Sequence, residues 1–235
     1  MKNILIVGGN SGIGLSLAHT LSNVGGYTLY SISRRRSDEL AQLNIHQQSV
    51  DISKPLGSAL QFLPETLHGL VYCPGTINLK PFNRLTENDF LEDFQVNVLG
   101  AIRILQETHN RLKKANGASV VLFSTVAVQV GMAFHASVSV AKAGVEGLTK
   151  SLAAEWATLQ IRVNAIAPSL TDTPLATKIL STQERREASN KRHPMGRIGN
   201  AQDIANAAEF LLSEKASWIT GQIIGIDGGM STLKP

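Results

Sequence analysis

The sequence predicts an α/β fold, a single doubly wound domain with a seven-stranded parallel sheet flanked by helices. Three observations carry that expectation. Short apolar, β-branched runs alternate with longer stretches of helical period along the whole chain. Most of those runs are apolar throughout rather than at every second residue, as strands covered on both faces must be. No repeat, low-complexity tract or linker divides the 235 residues, a length that one large domain accommodates. Strand–helix–strand units repeated in this way wind right-handed crossovers onto a parallel sheet.

The elements follow in order. A first strand covers Ile4 to Val7 and a helix Ile13 to Val24. Strands at Thr28 to Ile32, His46 to Val50 and Leu70 to Cys73 come next, then a long helix from Glu87 to Lys114. Ser119 to Phe123 reads as a strand, Ser139 to Thr158 as a helix and Arg162 to Ile166 as the sixth strand. Pro174 to Gly199 is polar and without a strand, and it is expected to form a small helical excursion over a ligand cleft. A helix from Ala201 to Leu212 and a strand from Gln222 to Ile226 complete one domain spanning 1–235.

Charge and composition narrow the function. The net charge is +4, supplied largely by Arg34 to Arg36 and by the stretch Arg185 to Arg192. Neither cluster is interleaved with aromatic residues or sits in a nucleic-acid motif, so nucleic acid is not the expected partner. No apolar run approaches the ~20 residues that span a bilayer. The N-terminus runs directly into an apolar strand, without a charged leader, apolar core and cleavage site in that order. The single cysteine, Cys73, forbids an intrachain disulfide and fits a reducing compartment. A soluble, cytoplasmic protein is expected, with no metal site.

Gly8-Gly9-Asn10-Ser11-Gly12-Ile13-Gly14 follows the first strand and opens the first helix. Glycines there permit a tight turn and let backbone N–H groups approach a pyrophosphate, with the helix N-terminus facing its charge. A glycine cluster alone is a weak signal, but this one sits in the first βα unit of a chain built of such units. Its spacing is Gly-x-x-x-Gly-x-Gly. In that spacing the chain resembles the short-chain dehydrogenase/reductase family, and the resemblance continues to the C-terminus. Asp51 in Val50-Asp51-Ile52 matches the family's adenine-contacting aspartate. Asn97 in Gln95-Val96-Asn97-Val98-Leu99-Gly100 matches its helix asparagine, and Lys142 in Ala141-Lys142-Ala143-Gly144 its active-site lysine. Arg162 to Pro168 resembles the strand leading to the nicotinamide pocket, with Thr171 and Thr173 following it. Pro194 to Gly199 and Gly221 to Gly229 resemble the family's C-terminal segments.

The resemblance implies a Rossmann-type nicotinamide site at Gly8, Asn10, Ser11, Gly12, Ile13 and Gly14, at Ser33, at Asp51 and Ile52, and at Cys73, Pro74 and Gly75. Lys142, Pro168, Thr171 and Thr173 complete it. Residue chemistry at the end of the second strand then bears on the choice of cofactor. An acid there would bind a ribose diol and repel a 2′-phosphate. Here Ser33 is followed by Arg34, Arg35 and Arg36, with no acid until Asp38. A guanidinium pairs with a phosphate through a planar fork, so NADP(H) is favoured over NAD(H).

The family is understood to protonate its carbonyl substrate from a tyrosine four residues before the lysine, one helical turn away on the same face. A serine binds the carbonyl and the asparagine supports a water relay. Four residues before Lys142 stands Val138. The three tyrosines, Tyr27, Tyr30 and Tyr72, all precede the fifth strand. The serine position, thirteen residues before Val138, is Thr125, with Ser124 a rival. Tyr72-Cys73-Pro74-Gly75 keeps the glycine of the family's Asn-Asn-Ala-Gly but not its amides. Cys73 is most simply a small buried residue at a strand end. His135 is a candidate substitute acid, since histidine titrates near neutral pH and shares a face with Val138 and Lys142 if the helix begins early enough. Ser137 reads as a helix cap and Ser139 is too weak an acid to replace tyrosine. The expected activity is oxidoreduction of a small carbonyl or alcohol with a non-standard proton donor. The alternative is a catalytically silent dinucleotide-binding sensor or assembly protein. A homodimer or homotetramer is expected from the family's pairing of its long helices.

Overall fold

The computed structural model describes residues 1–233. The chain runs β1 (Lys2–Val7), α1 (Gly12–Val24), β2 (Tyr27–Ser33), α2 (Asp38–Gln42), β3 (His46–Ser49) and β4 (Gly69–Tyr72). Then come α3 (Glu87–Phe94), α4 (Gly100–Lys114), β5 (Ala118–Phe123), α5 (Ala136–Trp156) and β6 (Ile161–Pro168). The last part holds β7 (Thr171–Asp172), α6 (Gln183–Lys191), β8 (Gly199–Asn200), α7 (Ala201–Leu212) and β9 (Ile223–Ile226).

Seven of the strands form one parallel sheet in the order β3-β2-β1-β4-β5-β6-β9. The chain steps outward from β1 to β3 and then returns to place β4 on the other side of β1. The reversal opens a crevice beyond the carboxyl ends of β1 and β4, where doubly wound sheets bind ligands.

Each strand feeds two cores because successive side chains point to opposite faces. Leu5, Val7 and Leu70 pack with Ile104 and Leu112 of α4 and Val145 and Trp156 of α5. Ile4, Ile6 and Val71 pack on the other face with Leu17 and Leu21 of α1 and Ile204 and Leu211 of α7. Each such fully buried side chain stabilises the fold by about 1.5–3 kcal/mol, and the two layers together fix the strands whose carboxyl ends border the crevice.

Three local expectations are corrected. The helix expected over Glu87 to Lys114 is interrupted by a π-helical turn at Gln95–Leu99. There the Asn97 side-chain amide donates to the Asp93 carbonyl at 2.7 Å, the acceptor that an ordinary turn would offer the Asn97 backbone. The excursion after Pro174 is not free of strand, since Gly199 pairs with Thr171 as β8 on β7, a two-residue bridge too short for periodicity to reveal. α5 begins at Ala136, so His135, not Ser137, is its N-cap residue, and Ser137 lies buried in the first turn with its hydroxyl 3.5 Å from the Asn78 carbonyl.

Candidate active site

The turn between β1 and α1 can be made only with glycine at its tight points. Gly8 and Gly12 hold left-handed φ values of 78° and 53°. A Cβ on Gly14 would overlap the Gly8 carbonyl oxygen, and one on Gly9 would strike the Ser31 hydroxyl at 2.6 Å. Ser11, the N-cap of α1, makes no side-chain capping bond, so the first N–H groups of that helix face the crevice uncapped, which suits a phosphate. Asn10 donates to the Arg35 carbonyl at 3.3 Å and ties this turn to the end of β2. The Ser33 hydroxyl oxygen at that end is buried without a partner. Arg34 and Arg35 are exposed. Asp51 accepts from the Ser53 hydroxyl at 2.6 Å and from the Ser53 N–H at 3.1 Å, which holds its carboxyl below the usual range, and Arg34 adds to the effect. Ile52 is buried beside it. A glycine cradle that Cβ atoms would fill, together with an orphaned hydroxyl beyond it, fits a dinucleotide.

At the other end of the crevice lies a cavity of about 230 Å³. It brings together Ile13, Cys73, Gly75, Thr125, His135, Val138, Lys142, Pro168, Thr171 and Thr173 from five separate segments. Pro74 packs on Gly8. Asn97 is fully buried behind the wall and reaches the cavity through Thr76, whose hydroxyl accepts from its Nδ2 at 2.8 Å. Ile77, Leu79, Met132, Leu175 and Ile179 make the remaining lining largely apolar.

The side chains that could act on a substrate differ in how they are engaged. The Ser124 hydroxyl donates to the Glu146 carboxylate at 2.6 Å. The Thr125 hydroxyl only accepts, from the Ala127 N–H at 3.3 Å, and its proton stays available. Lys142 donates to the Phe123 carbonyl at 2.8 Å. Burial pushes its ammonium down to about 8, against the attraction of Asp93 and Cys73. Burial likewise raises the Cys73 thiol to about 12, so it is not a nucleophile near neutral pH. His135 Nδ1 lies 2.7 Å from the Ala133 carbonyl; this contact assigns the Nδ1 proton and leaves Nε2 unengaged. The tyrosines stand apart: Tyr27 and Tyr30 lie on β2, and Tyr72 ends β4 with its hydroxyl donating to the Val96 carbonyl at 2.6 Å.

Sequence reasoning missed two polar groups. Asp93 is fully buried next to Asn97; its spacing of four from Asn97 was the available signal. His193 is buried at the cavity wall, with Nδ1 2.8 Å from the Ser189 carbonyl and Nε2 2.9 Å from the Ser169 hydroxyl. Among the described residues no group of three His, Cys, Asp or Glu is placed to hold a metal ion, and no helix is long and apolar enough to cross a membrane.

A family model described as enoyl-(acyl carrier protein) reductase matches residues 7–231, nearly the whole chain. The chain belongs to the short-chain dehydrogenase/reductase family. A tropinone reductase homolog of Arabidopsis thaliana is 31% identical, over 97% of this chain and 92% of that protein. A short-chain type dehydrogenase/reductase from Mycobacterium ulcerans superposes with a TM-score of 0.88 at 28% identity, covering 98% of this chain and 90% of the other. ElxO with NADP bound superposes with a TM-score of 0.89 at 26% identity, over 99% of both chains. Short-chain dehydrogenases are oxidoreductases that use nicotinamide cofactors on small-molecule substrates, and the crevice is where this chain would hold one.

Proposed function

We propose that this protein is an NADP(H)-dependent reductase of a small carbonyl, or dehydrogenase of the matching alcohol, whose proton donor is not a tyrosine. The observation that carries the reading is the meeting of Lys142, Thr125 and Val138 on one cavity beside the glycine turn. The bound cofactor supplies the hydride; the chain supplies everything else. The turn from Gly8 to Gly14 and the N-terminus of α1 hold the pyrophosphate. Arg34 or Arg35 would pair with the 2′-phosphate, and Asp51 would contact the adenine. Lys142 fixes the nicotinamide ribose, and Thr125 donates to the substrate oxygen, stabilising the charge that grows there. Val138 stands where the family's tyrosine is expected and offers packing but no proton. His135, at the start of α5, is a candidate donor within the same cavity. The NADP bound to ElxO supports the cofactor assignment.

The second reading, a silent dinucleotide-binding sensor or assembly protein, is favoured by Val138 alone, since a positioned general acid contributes roughly 10²–10⁴-fold. We place the protein in the cytoplasm as a homodimer or homotetramer. NADPH oxidation over a broad panel of aldehydes and ketones, run beside an NADPH binding titration, decides between the readings. Oxidation of NADPH by at least one carbonyl is expected; tight binding without turnover on any of them would give the silent reading.

A further inference from the structure

A buried carboxylate behind the cavity wall has no role in the reading above. Asp93 is 0% exposed. Its Oδ1 accepts from the Thr76 hydroxyl and, at 3.0 Å, from Asn78 Nδ2, while its Oδ2 has no partner. Asn97 joins the same network through Nδ2, and its Oδ1 also has no partner. Every donor here is neutral. An ionised carboxylate taken out of water is costly unless a cation balances it. Asp89, one turn earlier on α3, has such a cation in Lys80 at 2.5 Å. Among the described residues Asp93 has none in contact.

The cation on the cavity side of this network is Lys142, whose Nζ borders Gly75 together with Asn97 Oδ1. The bond to Phe123 accounts for one of its three N–H groups. A Cβ on Gly75 would lie 3.3 Å from Asn97 Oδ1 and 3.5 Å from Lys142 Nζ. This glycine therefore leaves open the space between the unused Asn97 Oδ1 and the unused N–H groups of Lys142, and Thr76 joins Asn97 to the Asp93 carboxylate. Besides Lys142, the titratable groups that line the cavity are Cys73, His135, Arg192 and His193. Cys73 follows β4, Asp93 comes from α3, His135 is the N-cap of α5 and Glu146 lies on α5 itself, Glu146 being held by Ser124. The attraction of Asp93 opposes the effect of burial on Lys142.

We propose that Asp93 is the buried counter-charge of Lys142, keeping its ammonium protonated so that Lys142 gives the substrate oxygen the proton a phenol would otherwise supply. The donor step rests on the reductase reading; the counter-charge does not. The carbonyl carbon accepts the hydride, its π pair withdraws to oxygen, and that oxygen takes a proton from Lys142 Nζ. The neutral amine is reprotonated from solvent through the cavity. Asp93 touches no reacting atom and is a positioning residue.

The test follows the Lys142 side chain by ¹⁵N-lysine NMR across pH in the full chain, for wild type, Asp93→Asn and Thr76→Val. Removing an opposite charge should lower the Lys142 midpoint by about one pH unit in Asp93→Asn. Thr76→Val keeps the charge and should move it far less. In wild type, the Asp93 ¹³Cγ signal should shift with the same midpoint as Lys142, a readout that needs no variant. Identical Lys142 midpoints in wild type and Asp93→Asn, or a flat Asp93 signal through the Lys142 titration, overturns the counter-charge whatever the carbonyl panel gives. With a reactive carbonyl in hand, kcat should fall as pH rises through the Lys142 midpoint, and that limb should move to lower pH in Asp93→Asn. A fixed limb overturns the donor step. A shifted midpoint with no turnover on any carbonyl supports the counter-charge and overturns the reductase reading alone.

Discussion

Val138 and Lys142 stand one helical turn apart on α5 and line the same cavity, Val138 5% exposed and Lys142 7%. A side chain at 138 therefore reaches the substrate space from the side the lysine does.

Val138→Tyr should raise carbonyl reduction above a poor wild-type rate. The glycine turn, Lys142 and Thr125 retain the proximity term; a phenol beside Lys142 would recover part of the roughly 10²–10⁴-fold general-acid term, or about 3–5 kcal/mol of barrier. Recovery should be incomplete because the pocket is packed around valine. Steady-state NADPH oxidation by wild type, Val138→Tyr and His135→Ala checks this. A wild-type rate abolished in His135→Ala would make histidine the acid in place of Lys142.

Arg34→Ala should weaken NADPH binding and leave NADH binding nearly unchanged. Charge-assisted bonds to the 2′-phosphate are worth about 1.5–3 kcal/mol, or roughly 10–150-fold in Kd. Fluorescence titration of both cofactors reads the difference. Equal wild-type affinity for the two would remove the case for NADP(H).

Acid stability should depend on Asp89. Lys80 and the Thr86 N–H hold its carboxyl down to about 2 from an ordinary 3.8. Because the folded value is the depressed one, the contribution to stability is full above about pH 4 and lost as pH falls towards 2. Lys80→Met should move the acid unfolding midpoint to higher pH, followed by circular dichroism. Thr86→Ala, which breaks the capping box of α3, should cost ~1 kcal/mol at neutral pH. An acid midpoint unmoved by Lys80→Met would show that this pair adds nothing to stability.

Val140→Asp should lower the oligomeric state. Val140 on α5 is 58% exposed, Leu91 and Phe94 on α3 are 57% and 38% exposed, and a Cβ on Gly147 would meet nothing within 4 Å. An open apolar face of this kind, with small residues that permit close helix approach, suits a two-fold contact between copies. Light scattering should find a dimer or tetramer for wild type at micromolar concentration and a smaller species for the variant; a wild-type monomer would end the proposal.

The sheet, the position of the glycine turn and the spacing of Val138 and Lys142 were all determined by the sequence itself. Each is a local pattern: an apolar run, a turn that only glycine can make, a pair four residues apart on one helix. What the tertiary structure decided lies between segments far apart in the chain. Ser124 and Thr125 are adjacent, yet only the fold sends the first hydroxyl to Glu146 and leaves the second facing the cavity. The π turn at Asn97 depends on Thr76 as well as on Asp93, so a helical period drawn through Glu87 to Lys114 misses it. Asp93 is one of several acids on α3, with Glu87, Asp89 and Glu92. It becomes a buried charge behind the cavity only when α3 packs on α5, because burial is set by what covers a side chain and not by its neighbours in the chain.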